Sequence, residues 1–317
     1  MKDTVNILFL GGAKRVSMAR MLIDAGKELG CNVKIFSYEL NGRVPVAVVG
    51  KVLSGLRWND ARLMEHLHET VGKYGIDIMI PFVDGAVGVV ARYRSIYNDI
   101  WAPVCGYERV EKMFDKIVAA QLFEYTGISI PRTYKSGRPV FPLIAKPRYG
   151  SASQGIMVIT EPREFRRVIS KADEYVIQEY IVNRKEYTVD CYVSSDCVVQ
   201  CAVPRLRKEV VGGEVSDTIT VHDAEIEETS RKVISRLGLT GAITLQFLRD
   251  LEKNRLLLME INPRLGGGAV CSVHAGAPIP AYILNEYLQR PLKPCDSWKP
   301  GTEIVRYMQE IVFKDGE

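Results

Sequence analysis

The sequence predicts an α/β domain built on a parallel sheet, followed by a larger α+β region. Three observations carry this. The chain opens with an apolar strand, a helix and a second apolar strand, the βαβ signature of a parallel sheet. From about residue 109 onward, helices mix with strands whose alternating pattern suits antiparallel pairing. At 317 residues the chain is too long for one typical domain and suggests two or three.

Taken in order, Val5–Leu10 is a short β-prone run, Gly11-Gly12 follows, and a helical pattern runs from Val16 to Leu29 and stops at Gly30. Val33–Tyr38 is the second strand, so a Rossmann-like sheet is expected. Leu63, Met64, Leu67 and Val71 mark one face of a helix from about Asp60 to Lys73. Ile76–Pro81 is a further strand, and a helical pattern follows through Tyr93. Residues 1–108 are read as this α/β domain and 109–317 as the second. In the second, Glu111–Tyr125 is predicted as one helix ending at Gly127. Leu143–Lys146 and Ile156–Ile159 are strands flanking the small-residue loop Arg148–Gly155, RYGSASQG. A helix over Glu164–Lys171 precedes a strand Val176–Tyr180 that runs into the polar kink Asn183-Arg184. Tyr187–Val193 and Val198–Val203 read as an antiparallel pair. A helix over Glu225–Leu237 is broken by Gly238, two strands follow, then Gly266-Gly267-Gly268 and a last helix Ile279–Leu288.

Composition narrows the function classes. With 47% hydrophobic and 25% charged residues, large cores can be buried. The net charge of +4 is small and no Lys/Arg-rich run stands out, which argues against nucleic acid. Seven scattered cysteines, an odd number without a CxxC, fit reduced thiols and a cytoplasmic location. No apolar run approaches ~18 residues, so no transmembrane helix and no membrane partner is expected. VNILFL is too short for a signal peptide.

The most informative stretch is Leu256–Arg264, LLLMEINPR. Glu260, Asn262 and Arg264 alternate, so a strand would project them from one face. A carboxylate and amide oxygens suit magnesium bound together with substrate phosphates, and an arginine beside them suits a phosphoryl group or a carboxylate. Gln246 adds an amide from the neighbouring run ITLQF. Lys146 ends an apolar strand just before the small-residue loop, where a point charge and backbone N–H groups could hold phosphate beneath a closing lid. The loop is not a Walker loop. Glu179 and Glu186 bracket the kink after a strand, where a carboxylate can accept ribose hydroxyls. Arg205, Arg207 and Lys208 lie in a basic, turn-like stretch before Gly212-Gly213 and are candidate ligands for a substrate carboxylate. His222 is a candidate substrate contact or base. For each of these the plainer alternative is a solvated surface residue. Gly11-Gly12-Ala13 lacks the G-x-G-x-x-G order and is discounted as a dinucleotide site. His66 and His68 are two apart on a helix and make a poor zinc pair. Cys191, Cys197 and Cys201 are expected to be core or half-buried.

In order along the chain, Phe114–Lys116 (FDK), Ile144–Ile156 (IAKPRYGSASQGI), Gln178–Asp190 (QEYIVNRKEYTVD), Leu245–Phe247 (LQF) and Met259–Gly268 (MEINPRLGGG) resemble the ATP-grasp superfamily, in particular its carbamoyl-phosphate-synthase-like and carboxylate–amine ligase branches. The resemblance implies an ATP-grasp core with a mobile lid over about residues 117–178 and a core subdomain over 179–317. It implies ATP, with one or two Mg2+ ions and Mn2+ as a substitute. Lys116 and Lys146 would contact the phosphates under a lid over Gly150–Gly155, with Ser151, Ser153 and Gly155 in the loop. Glu179 and the backbone near Tyr180 and Ile181 would hold adenine, and Glu186 the ribose. Glu260, Asn262 and Gln246 would hold metal; the family often has a glutamate where Gln246 stands. Arg264 would stabilise the phosphoryl group in flight, with Arg205, Arg207 and His222 toward the substrate. The implied reaction is ATP-dependent joining of a small-molecule acid to an amine, or a thiol, through an acyl phosphate. The alternative is a non-catalytic ATP-binding module or a carbamoyl-phosphate-type kinase partner. A homodimer is admitted, although no residue pattern specifies it.

Overall fold

The computed structural model describes residues 3–150 and 154–314. The first part contains β1 (Thr4–Leu10), α1 (Val16–Glu28), β2 (Asn32–Glu39), β3 (Lys51–Ser54), α2 (Leu63–Tyr74), β4 (Ile78–Pro81) and α3 (Asp84–Ile96). Its strands form one parallel sheet in the order β3-β2-β1-β4. The near-continuous apolar run of β1 follows from burial on both faces. Leu8 and Leu10 enter one core cluster, and Ile7 and Phe9 the other.

Next come α4 (Tyr107–Phe114) and α5 (Lys116–Tyr125), where one helix was expected. Asp115 breaks it. Its backbone is extended, and its carboxylate caps α5 by accepting from the N–H groups of Ile117 and Val118. The same carboxylate accepts from Arg148 at 2.6 Å and from the Tyr149 hydroxyl at 3.0 Å. The break thereby ties the start of α5, with Lys116 at its first position, to the small-residue loop.

A three-stranded antiparallel sheet follows, ordered β6-β5-β7 from β5 (Leu143–Pro147), β6 (Met157–Ile159) and β7 (Tyr175–Glu179), with α6 (Pro162–Ile169) between the last two. It has a small core of its own, including Tyr134, Leu143, Phe165 and Ile177. The remaining chain builds a six-stranded antiparallel sheet, β12-β11-β8-β9-β10-β13. Its elements are β8 (Arg184–Val193), β9 (Val199–Val211), β10 (Glu214–Thr220), α7 (Ala224–Leu237), β11 (Gly241–Asp250), β12 (Arg255–Asn262), α8 (Ala269–His274), α9 (Ile279–Tyr287) and β13 (Glu303–Val305).

Besides the split helix, the short elements β3, β10, α8 and β13 were not expected, and other details differ as well. The basic stretch Arg205–Lys208 is not a turn but lies inside the long strand β9; the turn is Gly212-Gly213, both at positive φ. Cys197 is exposed in a left-handed turn, whereas Cys191 and Cys201 are fully buried. Both large cores combine side chains of the parallel sheet with side chains of the six-stranded sheet, so the two parts pack on one another. Among the described residues, no helix is long and apolar enough to cross a membrane.

Candidate active site

Between the three-stranded and six-stranded sheets lies an open cleft with a volume of about 600 Å³. Lys116, Lys146, Glu179, Tyr180, Ile181, Glu186, Arg207, Gln246, Glu260, Asn262 and Arg264 all line it, although they come from six separate stretches of chain. Ile144, Val158, Leu248 and Met259 supply apolar walls beside them.

A β-bulge arranges the charged end. Gln246 pairs with Glu260, but Phe247 pairs with Leu258, leaving Met259 as the extra residue of β12. Strict alternation would put Glu260 on the face of Leu256 and Leu258, which are buried in the main core. The bulge reverses the parity, so Met259 and Glu260 both face the cavity while Ile261 returns to the core. An apolar wall and a carboxylate thus lie side by side on one strand. Arg264 sits beyond the strand end, where its N–H donates to the Asn262 carbonyl at 2.7 Å.

Glu260, Gln246 and Asn262 present one carboxylate and two amide oxygens. Among the described residues, no three Asp, Glu, His or Cys side chains gather as a metal site. This donor set fits a hard cation whose remaining ligands are phosphates and water, and it does not fit a closed structural zinc site.

Lys146 is buried, and its Nζ donates to Gln178 Oε1 at 3.2 Å. Desolvation pushes its ammonium down to about 8, against the attraction of Glu260. Lys116 Nζ donates to the Gly150 carbonyl at 2.5 Å. Gly155, at positive φ, lies against Pro147 within the hairpin and does not line the cavity. Ser151 and Ser153 lie outside the described residues.

Several carboxylates are already engaged. Glu179 accepts from Arg255 at 3.1 and 3.2 Å and from the Arg132 N–H at 2.9 Å. Burial raises its carboxyl, but these donors outweigh burial and hold it below the usual range. Glu186 pairs with Arg184 at 3.0 Å and Arg207 at 3.4 Å, and Arg207 also reaches Gln246 Oε1 at 3.4 Å. Arg205 is fully buried and donates to Asp190 at 2.7 and 3.2 Å; Ser272 donates to the same carboxylate at 2.6 Å. Its guanidinium is therefore already paired within the fold, and Arg205 lines the smaller neighbouring cavity rather than this one. His222 lines neither this cavity nor its smaller neighbour; it contacts Glu227 at 3.1 Å and packs on Trp298.

Sequence reasoning missed Asp84, whose carboxylate accepts from Arg264 Nε at 2.6 Å across 180 residues of chain. It also missed Arg255, and Arg15 in the smaller cavity. Only Arg255 carried a local signal, since it begins the same strand as Glu260.

A protein-family model described as "ATP-grasp in the biosynthetic pathway with Ter operon" matches residues 171–310. The carbamoyl phosphate synthase large chain of Thermotoga petrophila is 23% identical over 88% of this chain. The chain spans 29% of that relative's length. The biotin carboxylase domain of the Hydrogenobacter thermophilus 2-oxoglutarate carboxylase, solved with MgADP, ADP and bicarbonate, superposes with a TM-score of 0.75 at 16% identity, covering 94% of this chain and 73% of that one. The N5-carboxyaminoimidazole synthetase of Staphylococcus aureus, complexed with ADP, gives 0.71 at 16% identity over 96% and 81%. The chain has the ATP-grasp fold. The superpositions extend beyond the family-model match, which starts after Lys116 and Lys146, and take in almost the whole of this chain.

Proposed function

We propose that this chain is an ATP-dependent ligase that activates a small carboxylic acid as an acyl phosphate and passes the acyl group to an amine or thiol. The observation that carries this is the convergence of Lys146, Glu260, Asn262, Gln246 and Arg264 on one cavity with apolar walls. Phosphoryl transfer asks a protein mainly for positioning and charge neutralisation. The chain is read as a Rossmann-like domain over 1–108 and an ATP-grasp domain over 109–317. Residues 117–178 would act as the lid, a reading supported by the separate small core of the three-stranded sheet.

Adenine would lie between Ile144, Val158, Leu248 and Met259, with the Tyr180–Ile181 backbone reading its edge. Glu179, held by Arg255, would fix that backbone rather than touch the base. Glu186 would receive the ribose. Glu260, Asn262 and Gln246 would hold Mg2+, which neutralises phosphate charge when bound. Lys116 and Lys146 would hold the phosphate oxygens. Arg264 would release Asp84 and take charge from the phosphoryl group. The acid's carboxylate oxygen attacks the γ-phosphorus and the bond to the β-phosphate oxygen breaks, leaving ADP. The amine then attacks the acyl carbon, phosphate leaves, and the amine's surplus proton passes to solvent.

The test is ADP and phosphate release from Mg-ATP with acids and amines offered singly and in pairs. Release requiring both co-substrates supports the ligase. Glu260→Ala should abolish release while circular dichroism and thermal midpoint stay near wild type. A fully active Glu260→Ala protein would show that the metal site is misassigned.

A further inference from the structure

Beside the large cavity lies a smaller one of about 210 Å³, sharing with it the wall of Asp84, Arg207, Gln246, Asn262 and Arg264. Its far side belongs to the parallel sheet. In the order β3-β2-β1-β4, the chain moves from β1 to β2 and β3 on one side and then crosses back to β4 on the other. The gap outside the carboxyl ends of β1 and β4 is therefore the topological switch point, the general position of ligands in parallel sheets. Arg15 follows β1, and Phe82, Val83 and Asp84 follow β4; all four line the small cavity.

We propose that this switch-point crevice receives the acid substrate, and that the acid carries a second anionic group bound by Arg15. This rests on the ligase reading for the role of the first carboxylate, which would face Arg264 and Glu260. The charge pattern selects the second group. Arg15 is only 13% exposed and donates to Glu214 at 3.1 Å. Arg306 pairs with the same carboxylate at 2.8 Å and also donates to the Gly267 carbonyl. Two guanidiniums share one carboxylate, so positive charge is in excess there. Burial, and then repulsion from Arg306 and Arg264, lowers the Arg15 pKa against the pull of Glu214. Glu214 is bonded through one oxygen to Arg15 and through the other to Arg306, so it offers no free oxygen to an ammonium group at this end. An incoming anion is what this end of the crevice lacks.

Size limits the ligand. The crevice is smaller than the ~300 Å³ at which ordinary drug-sized pockets begin, so a compact acid fits. Glycine keeps the space open: a Cβ at Gly267 would lie 2.9 Å from Arg15 Nη1, and one at Gly268 2.5 Å from Arg205 Nη1.

The test uses calorimetric binding in the presence of a non-hydrolysable Mg-ATP analogue. Malonate, succinate, glutarate, aspartate and glutamate are each compared with their mono-amides. At least one diacid should bind about tenfold or more tightly than its mono-amide, the scale of a charge-assisted contact. Arg15→Gln should erase that preference and leave affinity for the ATP analogue unchanged, which also verifies folding; Arg15→Lys should restore part of it. If no diacid outbinds its mono-amide, or if Arg15→Gln leaves the preference intact, the proposal is wrong. Diacid binding that depends on Arg15 but gives no ADP release with any amine or thiol would sustain the crevice and overturn the ligase reading instead.

Discussion

With Lys146 on the phosphates as proposed, nucleotide affinity should depend on pH in a window where most lysines do not titrate. The Lys146 ammonium is buried and titrates near 8 in the free protein, because desolvation outweighs the attraction of Glu260. A triphosphate beside it restores the charged form and lifts the pKa well above this value. Binding must then take up a proton wherever the free protein has lost it. The sign is fixed: affinity is full below pH 8 and falls as pH rises through 8. At pH 7 about nine-tenths of the free sites are charged and at pH 9 about one-tenth, so affinity should drop about tenfold, ~1.4 kcal/mol. Titration calorimetry with a non-hydrolysable Mg-ATP analogue, in two buffers of different ionisation enthalpy, reads affinity and proton uptake together. Lys146→Arg, charged throughout this range, should flatten the profile; Lys146→Met should bind weakly at both pH values. A flat wild-type profile with no proton uptake would refute the reasoning, because it would mean that Lys146 is either already fully charged or remote from the phosphates.

Two predictions concern the frame that holds the site. Asp190→Asn leaves the Arg205 guanidinium buried without its carboxylate and should cost about 3–5 kcal/mol in urea unfolding, whereas a loss below about 1 kcal/mol would show that water reaches this pair. Gly241→Ala puts a methyl group against the Pro103 carbonyl at a backbone φ of +84°, where neither backbone segment can swing aside. The denaturation midpoint should fall by the equivalent of about 2–4 kcal/mol, and an unchanged midpoint would mean that the two parts separate easily at this seam.

How much could be read in advance varied with the range of the interaction. The parallel opening was legible because β1 and β2 are apolar, short and separated by a helix bounded by glycine. The break at Asp115 was not, because helix periodicity continues across it and only the side chain's capping bonds, with Arg148 on a distant loop, reveal it. Glu260, Asn262 and Gln246 were legible as an unusual polar set in apolar strands. Alternation grouped Glu260 with Asn262, as the register shows. Which face they share was not legible, since alternation carried on from Leu258 would have put Glu260 on the core side and only the bulge at Met259 turns it to the cavity. Arg205 looked like its neighbour Arg207 in sequence, yet one is paired with buried Asp190 and lines only the smaller cavity, whereas the other lines both.

Apart from the short β3, β10, α8 and β13, which went unread, the sequence by itself determined the order of the longer strands and helices, the place of Lys146 before its small-residue loop, and the carboxylate–amide–arginine series of β12 and its extension. These are written in local spacing, hydrophobic period and side-chain chemistry. Only the tertiary structure decided that Asp84 faces Arg264, that Arg15 and Arg306 share Glu214, and that Arg255 occupies Glu179. Each of these joins residues on separate elements, and ion pairs of that kind leave no periodic trace in the chain because their geometry is set by how whole sheets pack.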